Sequence, residues 1–437
     1  MRTDELMLYK HMEYGSILYD MSFLIENYKK GVCEKQELRK NWFDVINRLV
    51  EMAVSHGFEG NLWQTYLTFL LANDENAYST ECEMVGAVKG SIQTIAMHDL
   101  AIFRELFAYD FTELEQGLGI NCFSILTDYK AVHGHGKVFN QRIRDHICSL
   151  SKRLAECESV EEFQNILTGF YKRFGVGKFG LHKAFRVEHT ERGVEIVPIT
   201  KISHVHLDDL VGYEIPKQKL IDNTEAFVEG RRANNCLLFG DSGTGKSTCI
   251  KAIINQYYDQ GLRMIEIYKH QFKDLSAIIS HIKNRNYKFV IYMDDLSFEE
   301  FEIEYKYLKA VIEGGLESKP DNVLIYATSN RRHLIKETWN DRSDYNVEMH
   351  QSDTMQEKLS LVNRFGVTIN FSRPSKKEFN YIVTELSKRY PEIKMTEDEL
   401  ILEANKWEMA HGGVSGRTAQ QFINHLCGKV SSAQLAE

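Results

Sequence analysis

The feature that most constrains the fold is an alternation of short apolar runs with long amphipathic stretches between about Leu207 and Phe371. The runs are rich in β-branched residues, which is typical of strands buried on both faces of a sheet. Helices that connect parallel strands cover both faces, so the alternation predicts an α/β domain with a parallel sheet. The predicted strands are Cys236–Phe239, Met264–Ile267, Phe289–Met293, Val323–Ala327 and Val367–Phe371.

The segments on either side of this region have different patterns. From Met1 to about Lys178 the apolar residues recur at helical spacing, which predicts a mainly helical N-terminal domain. Two alternating runs around Phe185 and Val194 then predict a β-hairpin, and three helices are expected after Pro374. The predicted domains are a helical domain (1–183), a hairpin or linker (184–206), the α/β domain (207–373) and a helical lid (374–437).

Composition narrows the function classes. With 43% hydrophobic and 26% charged residues, the 437-residue chain is expected to be a soluble, multidomain globular protein. A net charge of −9 disfavours a broad nucleic-acid surface, because such surfaces need clustered cations. No apolar run is long enough to span a membrane and the start does not resemble a signal peptide, so we expect a cytoplasmic location. The eight cysteines form no C-x-x-C pair, which disfavours a zinc site.

A glycine-rich segment, Gly240-Asp-Ser-Gly-Thr-Gly-Lys-Ser247, follows the first predicted strand of the α/β domain and precedes a predicted helix. It matches G-x-x-x-x-G-K-[ST], in which glycines let backbone N–H groups face a β-phosphate at the positive end of a helix. Lys246 is predicted to contact the β- and γ-phosphates, and Ser247 to bind Mg²⁺. The predicted phosphate-loop residues are Gly240, Asp241, Ser242, Gly243, Thr244, Gly245, Lys246, Ser247 and Thr248.

Two carboxylates and an amide follow the later strands. Asp294 and Asp295 end a predicted strand, and the carboxyl ends of parallel strands meet beside the phosphate loop. We predict that Asp294 holds Mg²⁺ through its water shell and that Asp295 orients and deprotonates the attacking water. Asn330 ends the next strand, where it can position the same water, although asparagine is also a common turn residue. Glu299 and Glu300 are alternative candidates for the base.

The order of these motifs resembles that of the AAA+ superfamily of P-loop ATPases. Glu357-Lys-Leu-Ser-Leu-Val-Asn-Arg364-Phe-Gly is similar to the AAA+ arginine-finger segment, and Val414-Ser-Gly-Arg417-Thr-Ala is similar to the second sensor. More closely, Asp294-Asp-Leu-Ser-Phe and Ala327-Thr-Ser-Asn-Arg-Arg-His-Leu resemble a bacterial AAA+ family known only as a domain of unknown function.

The resemblance implies further roles. Arg364 would reach the γ-phosphate held by a neighbouring subunit, and Arg417 would contact nucleotide from the lid. Asp208-Asp-Leu-Val-Gly-Tyr213 resembles the loop that packs near adenine, which implies contacts from Val211 and Gly212, with a structural turn as the alternative. The superfamily usually has glutamate at the position of Asp295, and Asn363 stands where an acidic residue is expected before the arginine.

The sequence therefore predicts an ATP- and Mg²⁺-binding ATPase that forms a homo-oligomer and couples hydrolysis to remodelling of a macromolecule, with protein favoured over nucleic acid as the partner. The alternative is an ATP-dependent switch or binding module with slow hydrolysis. A P-loop kinase is a third hypothesis, but it gives no reason for Arg417 or for the lid.

Overall fold

The computed structural model describes residues 1–87, 89–130, 141–191, 193–200, 202–298, 302, 304–313, 320–331, 334 and 361–434; the side chains at 124, 313 and 430–434 are not described. Glu299 and Glu300, the alternative base candidates, lie outside these residues. The chain divides into two compact units, Met1–His182 and Lys183–Glu437.

In the described residues of the first unit the regular elements are all helices, and one isolated bridge joins Gly60 to Tyr129. Its helices are α1 (Ser16–Lys30), α2 (Lys35–His56), α3 (Leu62–Asn73), α4 (Ala77–Val85), α5 (Ser91–Phe107), α6 (Thr112–Leu118), α7 (Phe123–Leu126), α8 (Gln141–Ala155), α9 (Val160–Phe174) and α10 (Gly177–Leu181), after a 3₁₀ turn at Thr3–Glu5. In α3, 10 of the 12 residues are buried. Because most of its residues are apolar, α3 packs into this unit's core on nearly every side.

The second unit contains a seven-stranded sheet with the order β2-β1-β4-β5-β6-β3-β7. The strands are β1 (Ala184–Thr190), β2 (Gly193–Pro198), β3 (Cys236–Gly240), β4 (Leu262–Glu266), β5 (Lys288–Met293), β6 (Val323–Ser329) and β7 (Val367–Phe371). All neighbouring pairs among β3 to β7 are parallel. The predicted parallel sheet is confirmed, and β6 lies between β5 and β3, so their carboxyl ends are adjacent.

The first two strands form an antiparallel hairpin in which Val187 pairs with Ile196. β1 also pairs with β4 in parallel, with Ala184 opposite Met264. The hairpin therefore extends the main sheet at one edge, which the sequence pattern does not indicate.

The helices of the second unit are α11 (Glu214–Val228), α12 (Lys246–Tyr257), α13 (Leu275–Ile282), α14 (Glu304–Glu313), α15 (Lys376–Ser387), α16 (Glu397–Ala410) and α17 (Gly416–Gln434). Short 3₁₀ turns lie at Leu207–Asp209, Tyr258–Gln260 and Lys269–Asp274. The last three helices share a core that includes Phe379, Leu400 and Phe422. Capping boxes, which satisfy free backbone N–H groups, start α15 at Ser375 and α16 at Thr396.

Within the part of the chain that the structure describes, no helix is both long and apolar enough to cross a bilayer.

Candidate functional site

A cavity of about 770 Å³ lies where the carboxyl ends of β5 and β6 meet the segment between β3 and α12. Its wall combines that segment with the loop before α11 and with the helices α15 and α17. The predicted site residues that line it are Val211, Ser242, Gly243, Thr244, Gly245, Lys246, Ser247, Thr248, Asp294, Asp295, Asn330 and Arg417. Motifs that lie far apart in the sequence thus meet around one cavity.

The glycine-rich segment begins in a backbone conformation that requires glycine. Gly240 has φ +136°, and a Cβ atom there would lie 2.1 Å from the Phe371 carbonyl oxygen. The next residue, Asp241, donates its N–H to that same carbonyl at 3.1 Å. The segment can therefore leave β3 in close contact with β7 only because position 240 has no side chain.

The lid contacts the glycine-rich segment directly. The N–H of Arg417, at the start of α17, donates to the Gly243 carbonyl at 3.0 Å. The Asp241 carboxylate accepts the N–H of Arg373 at 2.9 Å, and the Arg373 guanidinium donates to the Gly412 carbonyl at 3.1 Å. Asp241 thus contacts the connection between sheet and lid, and it does not line the cavity.

Lys246 is only 7% exposed and follows Gly245 at the start of α12. Its Nζ donates to the carbonyls of Gly240 at 2.8 Å and Asp241 at 2.7 Å, and to Asn330 Oδ1 at 3.1 Å. Burial lowers the pKa of the Lys246 ammonium, although the nearby carboxylates of Asp241 and Asp295 act in the opposite direction. The cation is therefore held by neutral oxygens at the cavity wall.

Asp294 Oδ1 accepts two hydroxyl hydrogen bonds, from Ser247 at 2.7 Å and from Thr328 at 2.6 Å. Burial raises the pKa of the Asp294 carboxyl, but the hydrogen bonds from Thr328 and Ser247, together with the effects of Tyr292 and Lys251, outweigh it and the pKa lies below its ordinary value. The carboxylate is thus held in its charged form beside the Ser247 hydroxyl.

This pair of oxygens fits a Mg²⁺ site. Mg²⁺ commonly binds to few protein groups together with phosphates and water, so one hydroxyl ligand and one carboxylate that holds a water ligand are sufficient. The 2.7 Å hydrogen bond from Ser247 to Asp294 Oδ1 places such a hydroxyl and such a carboxylate side by side. Among the described residues, no group of three or more His, Cys, Asp or Glu side chains is placed to hold a metal ion.

Asp295 and Asn330 are in direct contact at the same edge. Asn330 Nδ2 donates to Asp295 Oδ1 at 2.7 Å, while the other atom of its amide accepts from Lys246. Asp295 has φ +49°, in the left-handed region that is uncommon for residues other than glycine. Its N–H donates to Thr328 Oγ1 at 2.9 Å, which helps to hold this conformation.

The remaining predicted residues divide between the cavity and its surroundings. Val211 lines an apolar part of the wall together with Leu210, Ile382 and Leu386. Gly212 lies behind that wall, where a Cβ atom would be 3.8 Å from Ile382. Arg364, whose N–H donates to the Leu361 carbonyl at 3.3 Å, does not line the cavity of its own chain.

Basic side chains hold the loop that carries Leu210 and Val211. Lys217 is 8% exposed and donates to the Leu210 carbonyl at 2.9 Å. From the lid, Arg389 donates to the carbonyls of Asp208 and Asp209. These contacts connect the wall of the cavity to both α11 and the lid.

Several lining residues were not predicted. Thr328 contacts both aspartates, and its position just before Ser329-Asn330 was a signal that could have identified it. Gln420 and Gln421 follow Arg417 by three and four residues, so helical spacing indicates that they share its face. No local signal identifies Ile382, because its approach to the cavity depends on how the lid packs.

A family model described as "Protein of unknown function (DUF815)" matches residues 180–430, more than half of the chain. A search of curated proteins finds no match.

The chain is also similar to solved structures of Thermotoga maritima RuvB. Two single-substitution variants have TM-scores of 0.38 and 0.37, with 16% and 17% identity; each match covers 52% of this chain and 66% or 67% of that chain. A third structure, titled RuvB Holliday junction branch migration motor, has a TM-score of 0.31 and 15% identity, covering 50% of this chain and 71% of that one.

The parallel sheet, the glycine-rich segment between β3 and α12, and the three-helix lid together form the P-loop α/β fold with a helical lid that the sequence predicts. The matched region spans this fold, and the chain belongs to the family described as Protein of unknown function (DUF815).

Proposed function

We propose that the chain binds ATP with Mg²⁺ in the 770 Å³ cavity and hydrolyses it to ADP and phosphate. The observation that carries this proposal is the convergence of a buried lysine, two carboxylates, an amide and an arginine around one cavity. These are Lys246, Asp294, Asp295, Asn330 and Arg417, which come from separate parts of the fold. Phosphoryl transfer depends mainly on positioning and on charge stabilisation, and this set supplies both.

The phosphates would lie along the N–H groups of the glycine-rich segment at the start of α12. Lys246 would exchange its bonds to the Gly240 and Asp241 carbonyls for phosphate oxygens, which are stronger acceptors. Ser247 would hold Mg²⁺ by its hydroxyl and Asp294 would hold it through the water shell of the ion, and the ion would supply positive charge that neutralises the charge developing on the phosphates. The apolar wall at Val211 would contact the adenine ring.

The attacking water would lie beside Asp295 and Asn330. Asp295 would accept a proton from this water, and Asn330 would fix its direction of approach to the γ-phosphorus. In the structure, Asn330 bonds to both Asp295 and Lys246, so a change at the phosphates reaches the base through two hydrogen bonds.

Two arginines would stabilise negative charge on the γ-phosphoryl group. Arg417 lines the cavity and would act within the chain. Arg364 does not line this cavity, and we propose that it completes the site of a neighbouring subunit. The active form would then be a homo-oligomer in which each site uses residues from two chains.

Hydrolysis would be coupled to remodelling of a macromolecule. We propose a cytoplasmic protein as the partner, since a net charge of −9 favours a protein over a polyanionic nucleic acid. Residues 1–200 would select the partner, and the AAA+ core and the helical lid (374–437) would drive the change.

ATP turnover by the purified protein tests the proposal. We expect Lys246→Ala to abolish ATP binding, and Asp295→Asn to retain it while kcat falls at least about 100-fold. Arg364→Ala should bind ATP normally and lose about 100-fold or more in kcat. Arg231→Ala is a matched control, because Arg231 is exposed, pairs with Glu229 and lies outside the cavity.

A dilution series separates the shared site from a self-sufficient one. If Arg364 acts on a neighbour, turnover per subunit falls as the oligomer dissociates on dilution. Turnover that stays constant over a wide range of concentration, with Arg364→Ala as active as Arg231→Ala, would rule out the shared site.

A second candidate is an ATP-dependent switch that hydrolyses slowly. The observation that favours it is the bond from Asn330 to Asp295, which occupies the candidate base. Aspartate is also one methylene shorter than the glutamate usual in the superfamily, and about 1 Å of lost reach can cost 100-fold in rate. Turnover far below once per minute, with ATP-dependent retention of one partner protein, would favour the switch.

A further inference from the structure

Thr328 is the penultimate residue of β6 and is only 2% exposed. Its strand lies between β5, which carries the two aspartates, and β3, which leads into the glycine-rich segment. The side chain is therefore buried between the metal-binding and phosphate-binding parts of the candidate site.

The Thr328 hydroxyl contacts both aspartates at once. It donates to Asp294 Oδ1 at 2.6 Å and accepts from the N–H of Asp295 at 2.9 Å. The Thr328 carbonyl also accepts the N–H of Leu296 at 2.7 Å. One residue of the neighbouring strand thus contacts three consecutive residues where the chain leaves β5.

These contacts have geometric consequences. The bond to Asp294 holds the carboxylate oxygen that also accepts from Ser247. The bond from Asp295 N–H helps to hold its left-handed backbone conformation, which directs the carboxylate to Asn330. Without the Thr328 hydroxyl, Asp294 Oδ1 loses one of the two hydroxyl groups that donate to it, and the Asp295 N–H loses its acceptor.

We propose that Thr328 is a positioning residue that fixes Asp294 for Mg²⁺ and Asp295 for the attacking water. This inference rests on the proposed function and adds a residue on which Mg²⁺ binding and ATP hydrolysis depend. Groups that orient metal ligands typically change metal affinity or activity 10- to 100-fold when removed, and we expect an effect of about that size.

The test uses the full-length protein and two substitutions at one site. Thr328→Val replaces the hydroxyl by a methyl group of similar shape, whereas Thr328→Ser keeps the hydroxyl. We expect Thr328→Val to lower kcat about 10- to 100-fold and to raise the Mg²⁺ concentration that gives half-maximal rate. Thr328→Ser should restore both to within about threefold of wild type.

Thr224→Val is a matched control. Thr224 is fully buried in the same unit, and its hydroxyl contacts the Leu220 carbonyl at 2.7 Å and the Tyr326 hydroxyl at 3.0 Å. It does not line the cavity, so its loss should lower stability and leave kcat and the Mg²⁺ dependence unchanged. ATP binding in EDTA should be the same in all variants.

The proposal is overturned if Thr328→Val turns over within twofold of wild type with the same Mg²⁺ dependence. It is also overturned if Thr328→Ser is as impaired as Thr328→Val, because the hydroxyl would then not be decisive. Should Thr328→Val not fold, Thr328→Ala against Thr328→Ser gives the same comparison.

Failure of the proposed function gives a different result. If wild type binds ATP and does not hydrolyse it, the increase in ATP affinity on adding Mg²⁺ still tests Thr328. Loss of that increase in Thr328→Val, with rescue in Thr328→Ser, supports the positioning role; an unchanged increase, or none in wild type, overturns it.

Discussion

Substitution of Gly240 by alanine tests the contact between the start of the glycine-rich segment and β7. Gly240 has φ +136°, which for other residues costs about 1–3 kcal/mol. The new Cβ atom would lie 2.1 Å from the Phe371 carbonyl oxygen, and this neighbour is backbone that cannot rotate away. Restoring ordinary contact needs a displacement of about 1 Å, which breaks the Asp241 N–H bond to Phe371 at a further cost of about 1 kcal/mol.

Together, the backbone strain and the lost hydrogen bond should lower the stability of Gly240→Ala by about 2–4 kcal/mol. Gly230→Ala is a matched control, because Gly230 has φ +78° and its Cβ would have no neighbour within 4 Å. We expect the control to cost only the backbone strain, about 1 kcal/mol. Denaturant unfolding gives each free energy, and hydrogen exchange at β3 and β7 locates the change.

The two alanine variants should differ by at least about 1 kcal/mol, and only Gly240→Ala should speed exchange in β3 and β7 and weaken ATP binding. Equal free energies of unfolding for the two variants, with equal ATP affinities, would refute the reasoning about the close approach.

Other predictions concern the lid. Ser375→Ala removes the acceptor of the Glu378 N–H and should destabilise the lid by about 1 kcal/mol, which thermal unfolding measures. Hydrogen bonds from Ser375 hold the pKa of Glu378 below its ordinary value of 4.5. The stability that the ionised Glu378 carboxylate adds is therefore fully present above that pH and is lost as the pH falls through the lowered pKa. Glu378→Gln should flatten this acid dependence of the free energy of unfolding. Arg389→Ala removes donors to the Asp208 and Asp209 carbonyls and should weaken ATP binding about 10-fold, with a smaller change in kcat at saturating ATP; calorimetry showing unchanged affinity would contradict this.

The sequence predicted the parallel strands because runs buried on both faces leave a strong pattern, and β7 occupies the predicted residues. It misplaced the start of β4, which begins at Leu262 and includes the charged Arg263. Arg263 is buried with its guanidinium 4.1 Å from the Tyr258 ring and 4.4 Å from the Tyr287 ring, a stabilisation that local pattern does not encode.

A similar limit applies to the candidate site. The predicted phosphate loop has a recognisable spacing, because in P-loop proteins the loop and the helix after it contact one ligand, so the sequence alone indicates it. Thr328 and Ile382 contact the site through packing between elements distant in sequence, and the pairing of β1 with β4 depends on the whole sheet. The roles predicted for Arg364 and Arg417 remain predictions.

Equilibrium titration of the purified protein with ATP, in the presence of Mg²⁺ and then of EDTA, tests the central claim most directly. We expect saturable binding that Mg²⁺ strengthens, and no binding by folded Lys246→Ala, because Lys246, Ser247 and Asp294 meet at one cavity. Absence of saturable binding by folded wild-type protein, or equal binding by Lys246→Ala, would contradict the account.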